Sequence, residues 1–265
     1  MGILSAHPAI GDDRPFITLY TTDLEPSGET EFEQGVRWYS GHAGESFQEV
    51  VSESEVEHGF TDNFQGSLYL TYDWSRTRPF GGMPQSADLV GTKAEFIYRF
   101  TSATLDPVGI ALYFEPSWNP NEHGIETKIL LQKNFLDDAL RTVVNINFED
   151  TWSRNGAGSW NKESALEFDA GAAYSITPHW SLALEFDNER GFEGMVLGGS
   201  AKEVSNPYFL GPSVQYADGP VRVVFGVQAQ LPVASNPMHT PGAVADGFTA
   251  DSERFRAGIR IAREL

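Results

Sequence analysis

The chain has no cysteine, which removes disulfide scaffolds, thiolate metal sites and cysteine nucleophiles together. Basic residues are scarce, 18 Lys+Arg against 37 Asp+Glu, leaving a net charge of −19. Such a chain repels phosphate backbones, and no basic stripe interleaved with aromatics occurs, so nucleic acid is excluded as a partner. Long apolar runs are missing as well. Each is broken by a charge or a turn residue well short of the roughly 20 residues a membrane-spanning helix needs. The six histidines (His7, His42, His58, His123, His179 and His239) are dispersed without an i, i+4 pair, so the sequence offers no metal site and no cofactor. Met1 to Ile10 hold no Lys or Arg, and Ser5, His7 and Pro8 interrupt the apolar stretch. No retained signal peptide is therefore expected; the choice lies between a cytoplasmic protein and a mature form left after signal-peptide removal.

What the sequence does contain, from Glu29 onward, is apolar–polar alternation with period two, the mark of pleated strands with two unlike faces. In Phe64 to Trp74, Phe64, Gly66, Leu68, Leu70, Tyr72 and Trp74 face one way and Gln65, Ser67, Tyr69, Thr71 and Asp73 the other. The same pattern recurs around Val90–Phe100, Leu140–Phe148, Leu166–Tyr174, Trp180–Phe186, Val221–Val227 and Phe255–Ile261, and more weakly at 30–40, 47–60, 107–116, 124–133 and 206–217. No segment carries a helical period, so the fold is read as all-β.

Connection lengths add a second regularity. Short links at 59–63, 101–107, 134–138, 176–179 and 217–220 alternate with long ones at 75–88, 116–124, 151–163, 188–207 and 232–251. If consecutive strands are antiparallel neighbours, all short turns fall at one end and all long loops at the other, an up-and-down meander. About twelve strands, an even number, match an antiparallel up-and-down transmembrane β-barrel with short periplasmic turns and long extracellular loops. Residues 29–265 form the predicted barrel domain. Residues 1–28, including a possible extra strand at Phe16 to Thr22, are assigned outside the wall as a lead or a plug.

Periodicity alone does not say which face meets water. Aromatics near the ends of the apolar rows (Trp38, Tyr72, Trp74, Phe148, Trp152, Tyr174, Trp180) suit membrane interfaces. Strands of about 9–11 alternating residues suit a tilted crossing of hydrocarbon, and closure removes the exposed edges an open sheet would leave. Two phrases, Gly59-Phe60-Thr61-Asp62-Asn63-Phe64-Gln65-Gly66-Ser67-Leu68 and Ser175-Ile176-Thr177-Pro178-His179-Trp180-Ser181-Leu182, resemble the periplasmic-turn phrasing of Gram-negative outer-membrane β-barrels. Over residues 29–265 the chain is similar to the poorly characterised transporter-like barrels grouped with phenol-degradation pathway proteins. That resemblance implies a bacterial outer-membrane location and a transporter- or porin-like channel for small or apolar solutes, with outer-membrane lipid as its surroundings and no catalytic residues to carry over.

Parity then places Glu31, Glu33, Arg37, Glu49, Glu53, Glu55, Glu57, Asp73, Lys93, Glu95, Arg99, Glu115, Lys128, Arg141, Glu149, Glu167, Asp169, Glu185, Asp187, Arg222, Arg256 and Arg260 inward. A barrel of about twelve strands leaves a narrow passage that long side chains constrict. The expected function is passive passage of small solutes, cations or neutral polar molecules, through an acidic, ion-pair-lined lumen; no enzyme is expected, and oligomeric state stays open. Two alternatives stand beside it. One is a structural barrel with little conductance. The other is a secreted soluble β-jelly-roll glycoside hydrolase: Glu185, Asp187 and Glu189 share one strand face at spacings suited to a nucleophile, a helper and an acid, and they resemble the Glu-x-Asp-x-Glu motif of laminarinase-type enzymes, with Asn188 at a position that is usually apolar there. Glu53-Ser54-Glu55-Val56-Glu57, Glu31-Phe32-Glu33 and Glu167-Phe168-Asp169 show that acidic alternation is general in this chain.

Overall fold

The structure, a computed structural model, describes residues 14–42, 45–79, 82–154, 158–199, 201–233, 244–250 and 252–265. Residues 1–13 and His239 lie outside the described residues. Fifteen strands are present in chain order: β1 (Thr30–His42), β2 (Glu45–Thr61), β3 (Phe64–Pro79), β4 (Gln85–Thr101), β5 (Gly109–Asn119), β6 (Glu122–Phe135), β7 (Leu140–Arg154), β8 (Trp160–Thr177), β9 (Trp180–Glu193), β10 (Lys202–Ser205), β11 (Tyr208–Asp218), β12 (Val221–Gln230), β13 (Val244–Ala245), β14 (Phe248–Thr249) and β15 (Phe255–Glu264).

Twelve of them close into an antiparallel ring. β1 to β9 pair in sequence order, β9 pairs with β11, then β11 with β12 and β12 with β15. The last strand returns to the first, from Glu31 opposite Glu264 to Ser40 opposite Phe255. Closure leaves no edge within the ring, as a membrane-spanning sheet requires. The short β10 adds to β9, and β13 and β14 form a separate hairpin.

Register turns the period-two pattern into levels. Glu33 lies opposite Glu55, Glu55 opposite Tyr69 and Tyr69 opposite Lys93, so one inward row runs across four strands. The neighbouring outward row joins Phe32, Val56 and Leu68. Leu68 is 69% exposed and Glu95 is 0% exposed, so the oily side chains coat the outside and the carboxylates are enclosed. Each large apolar side chain left in water forgoes roughly 1.5–3 kcal/mol. An outer band that includes Leu70, Tyr98, Leu112, Leu182, Leu184 and Ile261 is a surface for hydrocarbon.

The connections are shorter than the hydropathy pattern suggests. β5 and β6 are separated by residues 120–121 alone, β3 reaches Pro79 and β9 reaches Glu193. Beyond the oily band both strand faces are polar, so the alternation fades although the hydrogen-bonded ladder continues. Of the five links read as long, two stay long: residues 194–207 between β9 and β11, which carry β10, and residues 231–254 between β12 and β15, which carry the β13–β14 hairpin.

Residues 14–28 are not a wall strand. They run inside the ring, where Phe16 and Leu19 are fully buried with Val143, Ala173 and Ala183, and Leu24 packs with Ile97, Ala111, Tyr113 and Leu130.

Candidate functional site

The inner segment enters from the short-turn end. Gly28 donates from its backbone to the Gly59 carbonyl at 2.7 Å. An extended segment without a partner strand must find acceptors for its amides elsewhere, and inward-facing side chains supply them. Gln65 Oε1 accepts from Glu25 at 2.9 Å, Gln132 Oε1 from Thr22 at 2.7 Å and Asn145 Oδ1 from Tyr20 at 2.7 Å, while Asn145 Nδ2 returns a bond to the Tyr20 carbonyl. Glu185 holds the far part of the segment. Its carboxylate accepts from the Ile17 and Thr18 amides, each at 2.9 Å, and from Thr18 Oγ1 at 2.8 Å.

The wall is shaped for this segment. A Cβ on Gly171 would stand 2.8 Å from carbons of both Leu19 and Phe16, and one on Gly226 would stand 2.6 Å from Ile17 Cγ1. At both distances a side chain would force the neighbouring side chains of the segment to shift, so glycine admits their close approach to the wall backbone.

Charged pairs surround the segment. At the short-turn end Arg222 donates to Glu31 and lies 3.6 Å from Glu25 and 3.3 Å from Glu264. Arg99 donates to the Asp62 and Thr22 carbonyls, and Arg141 stands 3.7 Å from Asp23. One level further in, Glu33 lies 3.6 Å from Arg14 and 3.2 Å from Arg260. Glu55, Glu57 and Glu95 bring carboxylate oxygens within 4.8 Å of one another; Tyr69 and Tyr20 donate to Glu95 at 2.7 and 3.0 Å, and Ser67 donates to Glu57 at 3.3 Å.

Beyond the segment, toward the long-loop end, the interior opens into a cavity of about 330 Å³. Arg37 and Lys93 clasp Glu53 at 2.5 and 3.1 Å, and Lys93 reaches Glu115 at 3.4 Å. Arg256 binds Glu189 through two nitrogens at 2.5 and 2.7 Å. Asp187 accepts from Gln228 at 2.5 Å, and Asn147 donates to Glu167 at 3.0 Å and to Asp169 at 2.7 Å. Ten acids and six bases line this cavity. Asp73 and Glu149 are not among its lining residues; Glu149 borders a second cavity, of about 600 Å³, lined by the ends of β7, β8 and β9 and by Val204 and Ser205 of β10.

Glu25 and Glu126 were missed by the sequence reading. Glu126 pairs with Lys128 at 3.0 Å and lies two residues before it, so parity alone would have found it. Glu25 sits in the unpatterned segment and carries no such signal.

The hydrolase alternative finds no support in this geometry. Glu185, Asp187 and Glu189 do share one inward face, but on a closed ring rather than a two-sheet jelly roll, and each is engaged: Glu185 by backbone amides, Asp187 by Gln228 and Glu189 by Arg256.

The oily exterior, closed ring and ionic interior are the architecture of a transmembrane β-barrel. Residues 8–236 match the profile of a family of unknown function, DUF6662, and the chain belongs to that family. No curated protein matches the sequence. Among solved structures, an outer membrane channel from Pseudomonas putida F1 aligns with a TM-score of 0.65 and 11% identity over 92% of this chain and 98% of its own. The NanC porin aligns at 0.54 and 11% identity over 89% of this chain and 100% of its own. The translocator domain of the autotransporter NalP from Neisseria meningitidis aligns at 0.56 and 10% identity over 92% and 91%. At these identities the likeness is one of fold.

Proposed function

We propose that this protein is an outer-membrane channel for passive passage of small solutes through a narrow, acidic, ion-pair-lined lumen, and that residues 14–28 are its plug. The observation that carries the reading is the cavity of about 330 Å³ beyond the segment, bordered by charged side chains instead of an apolar core. A ring whose purpose was only structural gains nothing from enclosing so many ions, since desolvated charges cost several kcal/mol each unless paired. The fold neighbours whose titles name a channel and a porin support the same reading. The segment sets the resting state: with its amides capped by Gln65, Gln132, Asn145 and Glu185, it blocks the short-turn half.

The test is single-channel recording in planar bilayers with the full chain and with a variant lacking residues 1–28. The full chain is expected to stay closed or flicker, and the variant to give steady, salt-dependent current. Absence of current from a deletion variant that still shows heat-modifiable migration on gels would return the protein to the low-conductance structural barrel.

A further inference from the structure

One edge of the cavity is electrostatically incomplete. Glu167 and Asp169 on β8 both take their side-chain bonds from a single neutral donor, Asn147 Nδ2. Neither forms an ion pair with a lysine or arginine among the described residues. The nearby bases are engaged: Lys128 by Glu126, and Arg256 by Glu189 and Glu253. Asp169 is only 6% exposed, yet its Oδ1 has no hydrogen-bond donor, and the residue lines the cavity. Register sets Asp187 directly opposite Asp169 and Glu189 directly opposite Glu167. A buried carboxylate oxygen without a donor costs free energy that a cationic guest removes.

We propose that this edge is a binding subsite for a small organic ammonium ion, which makes an alkylamine the preferred solute class of the channel reading on which the inference rests. Three features select an organic guest over a metal ion. The cavity is many times the volume of a bare cation. Asn147 points its amide N–H groups between the two carboxylates, where a metal would need lone pairs. The cavity also already stabilises an ammonium in this manner: Lys128 Nζ lies 4.6 Å from the ring centres of both Tyr20 and Tyr113 while it pairs with Glu126. An alkylammonium guest at Asp169 repeats the ammonium–carboxylate half of that arrangement.

Isothermal titration of the detergent-purified full chain with putrescine tests the subsite, with 1,4-butanediol and succinate as neutral and anionic probes of equal carbon number. Putrescine alone is expected to bind. Asp169→Asn should weaken it at least tenfold and Glu167→Gln several-fold, both variants keeping heat-modifiable migration. Failure of putrescine to bind the folded wild type, equal binding of the diol, or unchanged binding in both variants overturns the subsite. Because the readout is equilibrium binding, it separates from the bilayer recordings. Current without putrescine binding sinks the subsite and leaves the channel; binding without current from the deletion variant does the reverse.

Discussion

Between Gly28 and Phe16 the lumen is packed like a protein interior, with Phe16 and Leu19 against Ala173 and Ala183 and the amides of Gln65, Gln132 and Asn145 turned to the segment. Past Thr18 the same strands enclose hollow space bordered by Arg37, Lys93, Lys128 and Arg256 with their acids. The wall strands are continuous through both halves, so the difference is made entirely by which inward residues are small or amide-bearing and which are long and charged. Small residues and amides accept a peptide; long ions border open space. One set of alternating strands thus carries a packed half and a hollow half without changing its fold.

Weakening the seal while leaving the vestibule intact is the strongest way to break that contrast. Leu19→Ala deletes the fully buried side chain at the crossing of β7, β8 and β9, and large-to-small changes of this kind cost about 2–5 kcal/mol. Docking of the segment should loosen by that amount, seen as faster hydrogen exchange at residues 16–22 and as channel openings in bilayers; unchanged exchange would mean the packing does not hold the plug. Glu185→Gln is next. It replaces a charged acceptor that serves two amides and a hydroxyl by an uncharged amide with a single acceptor oxygen, a loss of about 1.5–3 kcal/mol for charge-assisted bonds. Openings should be less frequent than with Leu19→Ala but clearly above wild type. The smallest effect belongs to the vestibule. Arg256→Gln releases Glu189 from its two-nitrogen clasp, so reversal potentials recorded on the deletion variant should move modestly toward cation selectivity while exchange in the plug stays as it was. A shift toward anions would contradict the acidic lumen.

The wall was readable because lipid and lumen demand opposite residue types at a spacing of two. That spacing alone parts Leu68 and Leu70 from Ser67 and Tyr69, and the aromatic ends of the apolar rows turn the leucine face outward. Strand ends were less readable. Near Arg78, Asn119 and Glu193 the ladder persists past the oily band, and no apolar face remains to reveal it. Within the site, parity speaks to the face a charge takes and is silent on its partner. That Glu33 meets Arg14, or Arg222 meets Glu25, depends on a segment with no periodicity of its own. Its bonds go to single amides and carboxylates on several strands, a pattern with no sequence signature. Asn145 and Gln132 sit on the polar face of ordinary strands, and only the presence of the segment distinguishes them from any other lumen amide.

The partners of the inner segment also constrain assembly. Arg260 near one chain end donates to the Arg14 carbonyl near the other, and Ser213 does the same to Pro15 at 3.0 Å. These links span almost the whole polypeptide, and their loop-closure entropy is lost before any of them is rewarded. The cradle that receives Arg14 to Thr18 draws on β9, β11 and β15 together, so it is complete only in the closed ring. The inner segment finds its full set of partners only where the two ends of the sheet have met.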